Sequence, residues 1–404
     1  MKVLVINCGS SSIKYSFLDM KREKVLAEGV VEKIGEDFSI FKHKTSVKEI
    51  KKIIKIRNHD QGLKIILNSL INPVIGVIRD YSEISAVGHR VVHGGSDFVQ
   101  STIIDDVVIE TIQKYSPLAP LHNPSNLAGI KILRDLLPEI PHVAVFDTAF
   151  HQTMPEVAYL YAIPYEYYEK HGIRRYGFHG TSHRYVSHKA AEILGRDLRD
   201  LKMVTCHLGN GCSVAAVKEG KSIDTSMGFT PLEGVPMGTR CGDIDPSIIQ
   251  FLVNVENLTL EEIYNILNKK SGLLGISGVS NDVREIERAA ERGDKRAKIA
   301  LEILAYRVKK YIGAYAAAMG GIDVIVFTAG IGENAAYIRS KICSGLKFLG
   351  VKLDERKNNN PKRWNGVISS DNSKVKVVVV PTRENLIIAR EACEAIKKEN
   401  LKRK

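Results

Sequence analysis

Val3-Leu-Val-Ile-Asn-Cys-Gly-Ser-Ser-Ser-Ile-Lys14 reads as an apolar strand, a turn of small polar residues and a second strand. The same plan returns in the second half of the chain as Met203-Val-Thr-Cys-His-Leu-Gly-Asn-Gly-Cys-Ser-Val214. A second echo pairs Val143-Ala-Val-Phe-Asp-Thr-Ala149 with Ile325-Val-Phe-Thr-Ala-Gly-Ile331, each an apolar strand that ends in small polar residues. Either echo alone fits chance similarity between buried strands. Both in the same order point to a duplicated domain with a cleft between the copies.

Helix and strand signals alternate around these segments, which is the pattern of an α/β fold. Strands are predicted at Lys2–Asn7, Ile13–Asp19, His142–Phe146, Val324–Phe327 and Lys376–Val380. Asn123-Pro124 predicts a helix start, with Asn as the cap and Pro at the first helical position. Thr181–Leu194 reads as a helix closed by Gly195, and Asp294 to Met319 as a long helix that meets Gly320-Gly321. Pro381-Thr382 leads into a C-terminal helix.

The chain has 404 residues, 44% hydrophobic and 26% charged, so two or three globular domains are expected. A net charge of +12 favours anionic partners. The lysine-rich stretches Lys48–Lys52 and Leu401–Lys404 read as solvated faces, because no nucleic-acid-binding motif accompanies them. Six cysteines lack C-x-x-C or zinc-ligand spacing and read as reduced thiols. The run Val3–Ile6 is too short for a signal-peptide core, and no stretch has the apolar length of a membrane span. A cytoplasmic location is the expectation.

The turn Asn7–Ser12 can cradle a phosphate on backbone N–H groups and serine hydroxyls, or it is an ordinary tight turn. Gly209–Ser213 is its counterpart. Gly330-Ile-Gly-Glu-Asn334 follows an apolar strand and precedes a helix, a setting suited to nucleotide phosphates. There is no Walker A loop: Gly220-Lys221-Ser222 has its end, but Ala215 stands where the first Gly belongs. Arg90 and Arg240 sit among glycines, where a guanidinium fork suits carboxylate or phosphate; a surface ion pair is the bland alternative for each. Asp147 and Glu384 follow apolar strands, where hard cations are held, although a carboxylate at Glu384 also suits a first helical turn. His122, His179, His183 and His207 lie beside these segments. His179 and His183 are four apart but lack the Glu of H-E-x-x-H and a third ligand, so stabilising phosphoryl charge is the better reading for a histidine here.

These residues resemble the acetokinase family, the acetate kinases, within the superfamily of acetate and sugar kinases, Hsp70 and actin. The matching stretches run from end to end: Asn7–Lys14, His89–Gly95, Pro117–Pro124, Val145–Gln152, Arg175–His183, His207–Ser213, Asp224–Asp243, Ser277–Glu287, Phe327–Asn334 and Pro381–Glu384. The resemblance implies duplicated ribonuclease-H-like domains, namely residues 1–149 completed by a helix at about 383–404, and a nucleotide-binding domain at 150–382. It also implies a homodimer. By the same resemblance Asn7, Ser10, Ser12 and Lys14 lie at the phosphate end of the cleft. Arg90 and Arg240 hold the carboxylate and the moving phosphoryl group, and His179 stabilises the transition state. Asp147 and Glu384, with Asn7, position Mg2+, or Mn2+ in its place. Lys14, His207, Asn210, Gly211, Asp282, Val283, Arg284, Gly330, Ile331, Gly332 and Asn334 meet the nucleotide. Val92, Leu121, Phe178 and Pro231, with Arg90, form the acyl site. Cys241, Val283, Arg383 and Asn385 depart from the family's usual residues, and Arg383 bears on metal binding at Glu384.

The implied reaction is direct, reversible transfer of the γ-phosphoryl group from ATP to acetate, giving acetyl phosphate and ADP. A carboxylate is ionised at neutral pH, so the transfer needs positioning and charge neutralisation rather than a general base. A propionate or butyrate kinase is the same chemistry with another pocket. A chaperone-type ATPase of the superfamily expects a further domain, for which about twenty residues after Glu384 leave no room. Cys8, Cys212 and Cys241 sit in the turns near arginines and are expected to be reactive.

Overall fold

The computed structural model describes residues 1–120 and 122–402. The chain divides into two compact units, Met1–Ala149 with Arg383–Lys404, and Phe150–Thr382. Among the described residues each unit is built on one main sheet.

The first unit begins with a five-strand antiparallel meander: β1 (Lys2–Cys8), β2 (Ser12–Asp19), β3 (Lys24–Glu32), β4 (Ser39–Thr45) and β5 (Glu49–Ile54). Three further strands are β6 (Ala86–Val91), β7 (Thr102–Ile103) and β8 (His142–Phe146), and the sheet order is β5-β4-β3-β2-β1-β6-β8-β7. β1, β6 and β8 run parallel. Side chains alternate across β1. Leu4, Ile6 and Cys8 pack with Ile66 and Leu67 of helix α1 (His59–Leu70) and Leu133 of α2 (Asn123–Leu136). Val3 and Val5, with Val143 and Val145, pack on Leu386, Ile388, Ala389 and Ala392 of the helix Glu384–Lys402. The lysine-rich edge strand β5 is mostly exposed, which discourages strand addition.

The second unit carries β9 (Lys202–Leu208), β10 (Cys212–Lys218), β11 (Lys221–Thr225), β12 (Val324–Thr328) and β13 (Lys376–Val379), in the order β11-β10-β9-β12-β13. β9, β12 and β13 run parallel, while β10 and β11 are antiparallel. Helix α3 (Gly180–Leu194) covers one face through Val186, Ala190 and Ala191. The unit also holds α4 (Ser247–Glu256), α5 (Val283–Glu291), α6 (Lys295–Met319) and α7 (Ala329–Asn334), with α6 packed on β9 and β10.

The order β3-β2-β1-β6-β8 in one unit repeats as β11-β10-β9-β12-β13 in the other, so the duplication is real. The first echo matches equivalent hairpins. The second does not: β8 stands two places from β1, whereas β12 stands beside β9. Buried parallel strands that end in polar turns look alike wherever they lie in a sheet, and the true counterpart of β12 is β6. Local details differ in two other places. The segment Gly330–Asn334, read as lying before a helix, is itself within α7. Asn123 is not the cap of its helix; His122 holds that position, and the Asn123 side chain turns inward.

Candidate active site

In the first unit the site residues gather at the carboxyl ends of parallel strands, the usual ligand edge of such sheets. Arg90 near the end of β6 forms a bidentate pair with Asp147 just past β8, at 3.1 Å from Nε to Oδ1 and 2.7 Å from Nη2 to Oδ2. Glu384, the first residue of its helix, lies 3.7 Å from Arg90 Nη1. One guanidinium therefore stands between two carboxylates. Burial opposes its charge, but Asp147 and Glu384 outweigh burial and hold it more firmly protonated than usual. Burial pushes the Asp147 carboxyl up, and Arg90 pulls it back.

The loop after β6 is braced by two asparagines to which the sequence reading gave no part in the site. Asn126 Oδ1 accepts from Val92 N at 3.1 Å, and its Nδ2 donates to the Cys8 carbonyl at 2.7 Å. Asn123 Oδ1 accepts from His93 N at 3.0 Å, and its Nδ2 donates to the His93 carbonyl at 2.9 Å. Both are buried. Gly95 has φ +62°, and a Cβ there would lie 2.0 Å from the Tyr115 ring, so only glycine fits. Asn7 and Lys14 face each other across the β1–β2 hairpin, with Lys14 exposed and Ser10 exposed in the turn. Val92 is buried, and Leu121 lies outside the described residues.

In the second unit His179 precedes α3 with a left-handed backbone, φ 56°. Its ring stacks on His207 at 4.2 Å between centroids. A Cβ on Gly211 would stand 3.5 Å from His179 Nε2 and 3.6 Å from Arg240 Nη1, so the β9–β10 turn, the histidine and the arginine converge. Arg240 Nη1 donates to the Pro231 carbonyl at 3.2 Å and approaches Met237 Sδ at 3.6 Å. Among the described residues no carboxylate pairs with it, and burial lowers its pKa. Phe178 is buried, and its carbonyl accepts from His151 Nε2 at 3.1 Å.

A pocket of about 570 Å3 lies beside this group, lined by Asn210, Asp282, Val283, Arg284, Gly330, Ile331 and Asn334, with Gly209, Asn281, Glu287 and Ala335. The first seven are among the eleven residues read as nucleotide contacts. Gly332 lies beneath, buried against Phe327 and the Cys206 carbonyl, while His207 and Gly211 belong with His179. Lys14 belongs to the first unit. Asp282 caps α5 and pairs with Arg284 at 2.5 Å, and Asn210 accepts from Asn281 Nδ2 at 3.1 Å.

The departures resolve differently. Asn385 Nδ2 donates to Ser16 Oγ at 2.6 Å, so this amide ties its helix to β2. Arg383 is exposed. Cys8 and Cys212 are buried, and burial pushes both thiols up to about 12, which removes the thiolate expected of them. Cys241 is partly exposed, and burial raises its pKa as well.

A family model described as the Acetokinase family matches residues 2–390. The acetate kinase of Pseudothermotoga lettingae is 58% identical over 398 residues, 98% of this chain and 98% of its own. The crystal structure of Porphyromonas gingivalis acetate kinase superposes with a TM-score of 0.92 at 50% identity, covering 98% of this chain and 99% of that one. A propionate kinase from Francisella tularensis gives 0.92 at 44% identity, covering 97% of this chain and 99% of its own. The chain belongs to the acetokinase family.

Proposed function

We infer that the protein transfers the γ-phosphoryl group of ATP to acetate, reversibly, giving acetyl phosphate and ADP. The full-length likeness to an acetate kinase at 58% identity carries this reading. Arg240 fits it: a half-buried guanidinium that has, among the described residues, only a carbonyl and a thioether for side-chain partners keeps donors for an incoming anion.

An acetate oxygen attacks the γ-phosphorus in line as the bond to the bridging oxygen breaks. ADP leaves with the electron pair, and no proton changes hands. Arg240 and His179 stabilise charge on the moving group, and Arg90, aligned by Asp147, holds the carboxylate. The pocket beside Asn210 and Gly330 takes the nucleotide. Glu384, a third exposed, and the Asn7 amide offer the hard oxygen donors that suit Mg2+. They would hold the ion, which supplies positive charge against the phosphates. The acyl group is assigned, by the family resemblance, to Val92 in the first unit and to Phe178 and Pro231 in the second.

No helix among the described residues is long and apolar enough to cross a membrane, and the reading places the protein in the cytoplasm. It works as a homodimer. Ile248, Phe251 and Val255 project from one face of α4 with exposures of 42, 59 and 55%, an apolar stripe that a second copy would cover.

Trapping the acyl phosphate with hydroxylamine tests the function. Acetyl hydroxamate formed with ATP and acetate is expected. ADP release without hydroxamate would overturn the reading in favour of an ATPase. The likeness to a propionate kinase keeps propionate as the second candidate acid, and faster hydroxamate formation from propionate would select it.

A further inference from the structure

Behind His179 the second unit buries a column of hydroxyl and imidazole groups. Thr205 on β9, His183 on α3 and Ser213 on β10 are each fully buried. His183 Nδ1 lies 2.7 Å from Thr205 Oγ1, and its Nε2 lies 2.7 Å from Ser213 Oγ. The same Ser213 oxygen lies 2.8 Å from His179 Nδ1. Ser213 has one hydrogen to give and two imidazole nitrogens against it, so at least one ring must donate to it, and if the His183 nitrogen accepts, the His179 nitrogen must donate. The hydrogen on His179 is thereby coupled to the tautomer of a histidine that never meets solvent.

His179 needs such fastening. Its left-handed backbone is uncommon for a residue with a side chain and persists only where the surroundings impose it. Its ring is held on one face by His207, whose Nδ1 lies 2.8 Å from Ser182 Oγ, and at the Nδ1 edge by Ser213. The Nε2 edge lies by Gly211, and Arg240 is another of that glycine's neighbours.

We propose that Ser213, backed by His183 and Thr205, is the positioning residue that fixes the ring and tautomer of His179, so that Nε2 is the atom presented to the phosphoryl group. Ser213 is fully buried, and it acts through His179. His183 stays neutral in this role, because burial and the neighbouring His151 and His207 hold its pKa well below the ordinary value.

The role rests on the phosphoryl-transfer reading, but its main test does not need turnover. In 15N-histidine-labelled, ligand-free protein, His179 should show one dominant tautomer in the wild type and a redistributed population in Ser213→Ala. In kinetics, Ser213→Ala should lower kcat by up to about 100-fold, the scale of misplacing one group by about 1 Å, with both KM values nearly unchanged. Ser213→Cys keeps the packing and a weak acceptor, and should fall between the two. A His179 tautomer that is unchanged in a folded Ser213→Ala protein overturns the proposal. So does a wild-type kcat. If the wild type makes no acyl phosphate yet the tautomer still shifts, the phosphoryl-transfer reading fails and the positioning role stands.

Discussion

Removing each arginine separates chemistry from architecture, because the two are held in opposite ways. Arg240→Ala deletes one hydrogen bond to a carbonyl and one sulfur contact, and relieves a cation whose pKa burial already lowers. A lost bond from a charged donor costs about 1.5–3 kcal/mol, and relief of desolvation offsets most of it, so stability should change by about 1 kcal/mol or less. If Arg240 acts on the transition state, kcat falls by about 10²–10³, worth about 2.7–4 kcal/mol. Arg90→Ala leaves the Asp147 carboxylate, 3% exposed, without its bidentate partner. That should cost about 3–5 kcal/mol of stability as well as activity. The stability loss also acquires a pH dependence. With Arg90 gone, burial and then the nearby Glu384 carboxylate both hold the folded pKa of Asp147 above the unfolded one. The folded state then binds more protons in that window, so stability falls as pH rises through it and recovers on acidification. Thermal melts of both variants from pH 5 to 8, alongside steady-state kinetics, decide the matter. Equal destabilisation by the two substitutions, or wild-type kcat in Arg240→Ala, would refute the reasoning.

Glu384→Ala should raise the magnesium concentration needed for half-maximal activity; a lower melting temperature with an unchanged magnesium requirement would show a helix-dipole role instead. Alkylating reagents should modify Cys241 before Cys8 or Cys212, and peptide mapping that finds the buried pair labelled first would contradict the burial seen here. One methylene gains at most about 0.8 kcal/mol if it fits and loses about 1–3 if it crowds, so acetate should exceed propionate by roughly 10-fold in kcat/KM. Val92→Ala should narrow that ratio without changing the KM for ATP, and an unchanged ratio removes Val92 from the acyl pocket. Phe251→Glu should shift the protein from dimer to monomer in light scattering, and a wild-type mass would move the interface away from α4.

The hairpins and strand-end carboxylates were legible because their signals are local. A tight turn must be written in glycine and serine, and a buried parallel strand in valine and isoleucine. Arg90 and Arg240 stood out because glycine flanks both. What escaped was set by partners far along the chain. Asn123-Pro124 has every mark of a helix cap, yet Asn123 is used by the backbone of His93, thirty residues earlier. Ser213 read as the end of a phosphate turn, and only the approach of α3 makes it the hinge between two histidines. The second echo misled for a related reason. Strand composition reports burial, and burial does not say which neighbour a strand will choose.

The helix Glu384–Lys402 closes a face of a sheet whose strands are complete by Phe146. During synthesis at about 5–20 residues per second, the missing cover emerges roughly 250 residues, or about 10–50 s, after the first unit's strands. Through that interval Val3, Val5, Val143 and Val145 have no helix to pack against, and the nascent sheet is a sticky half-domain. The ribosome therefore delivers the second unit to its fold before the first can lock. Expression yield will respond to translation speed and chaperone supply, even when the finished enzyme is thermodynamically sound.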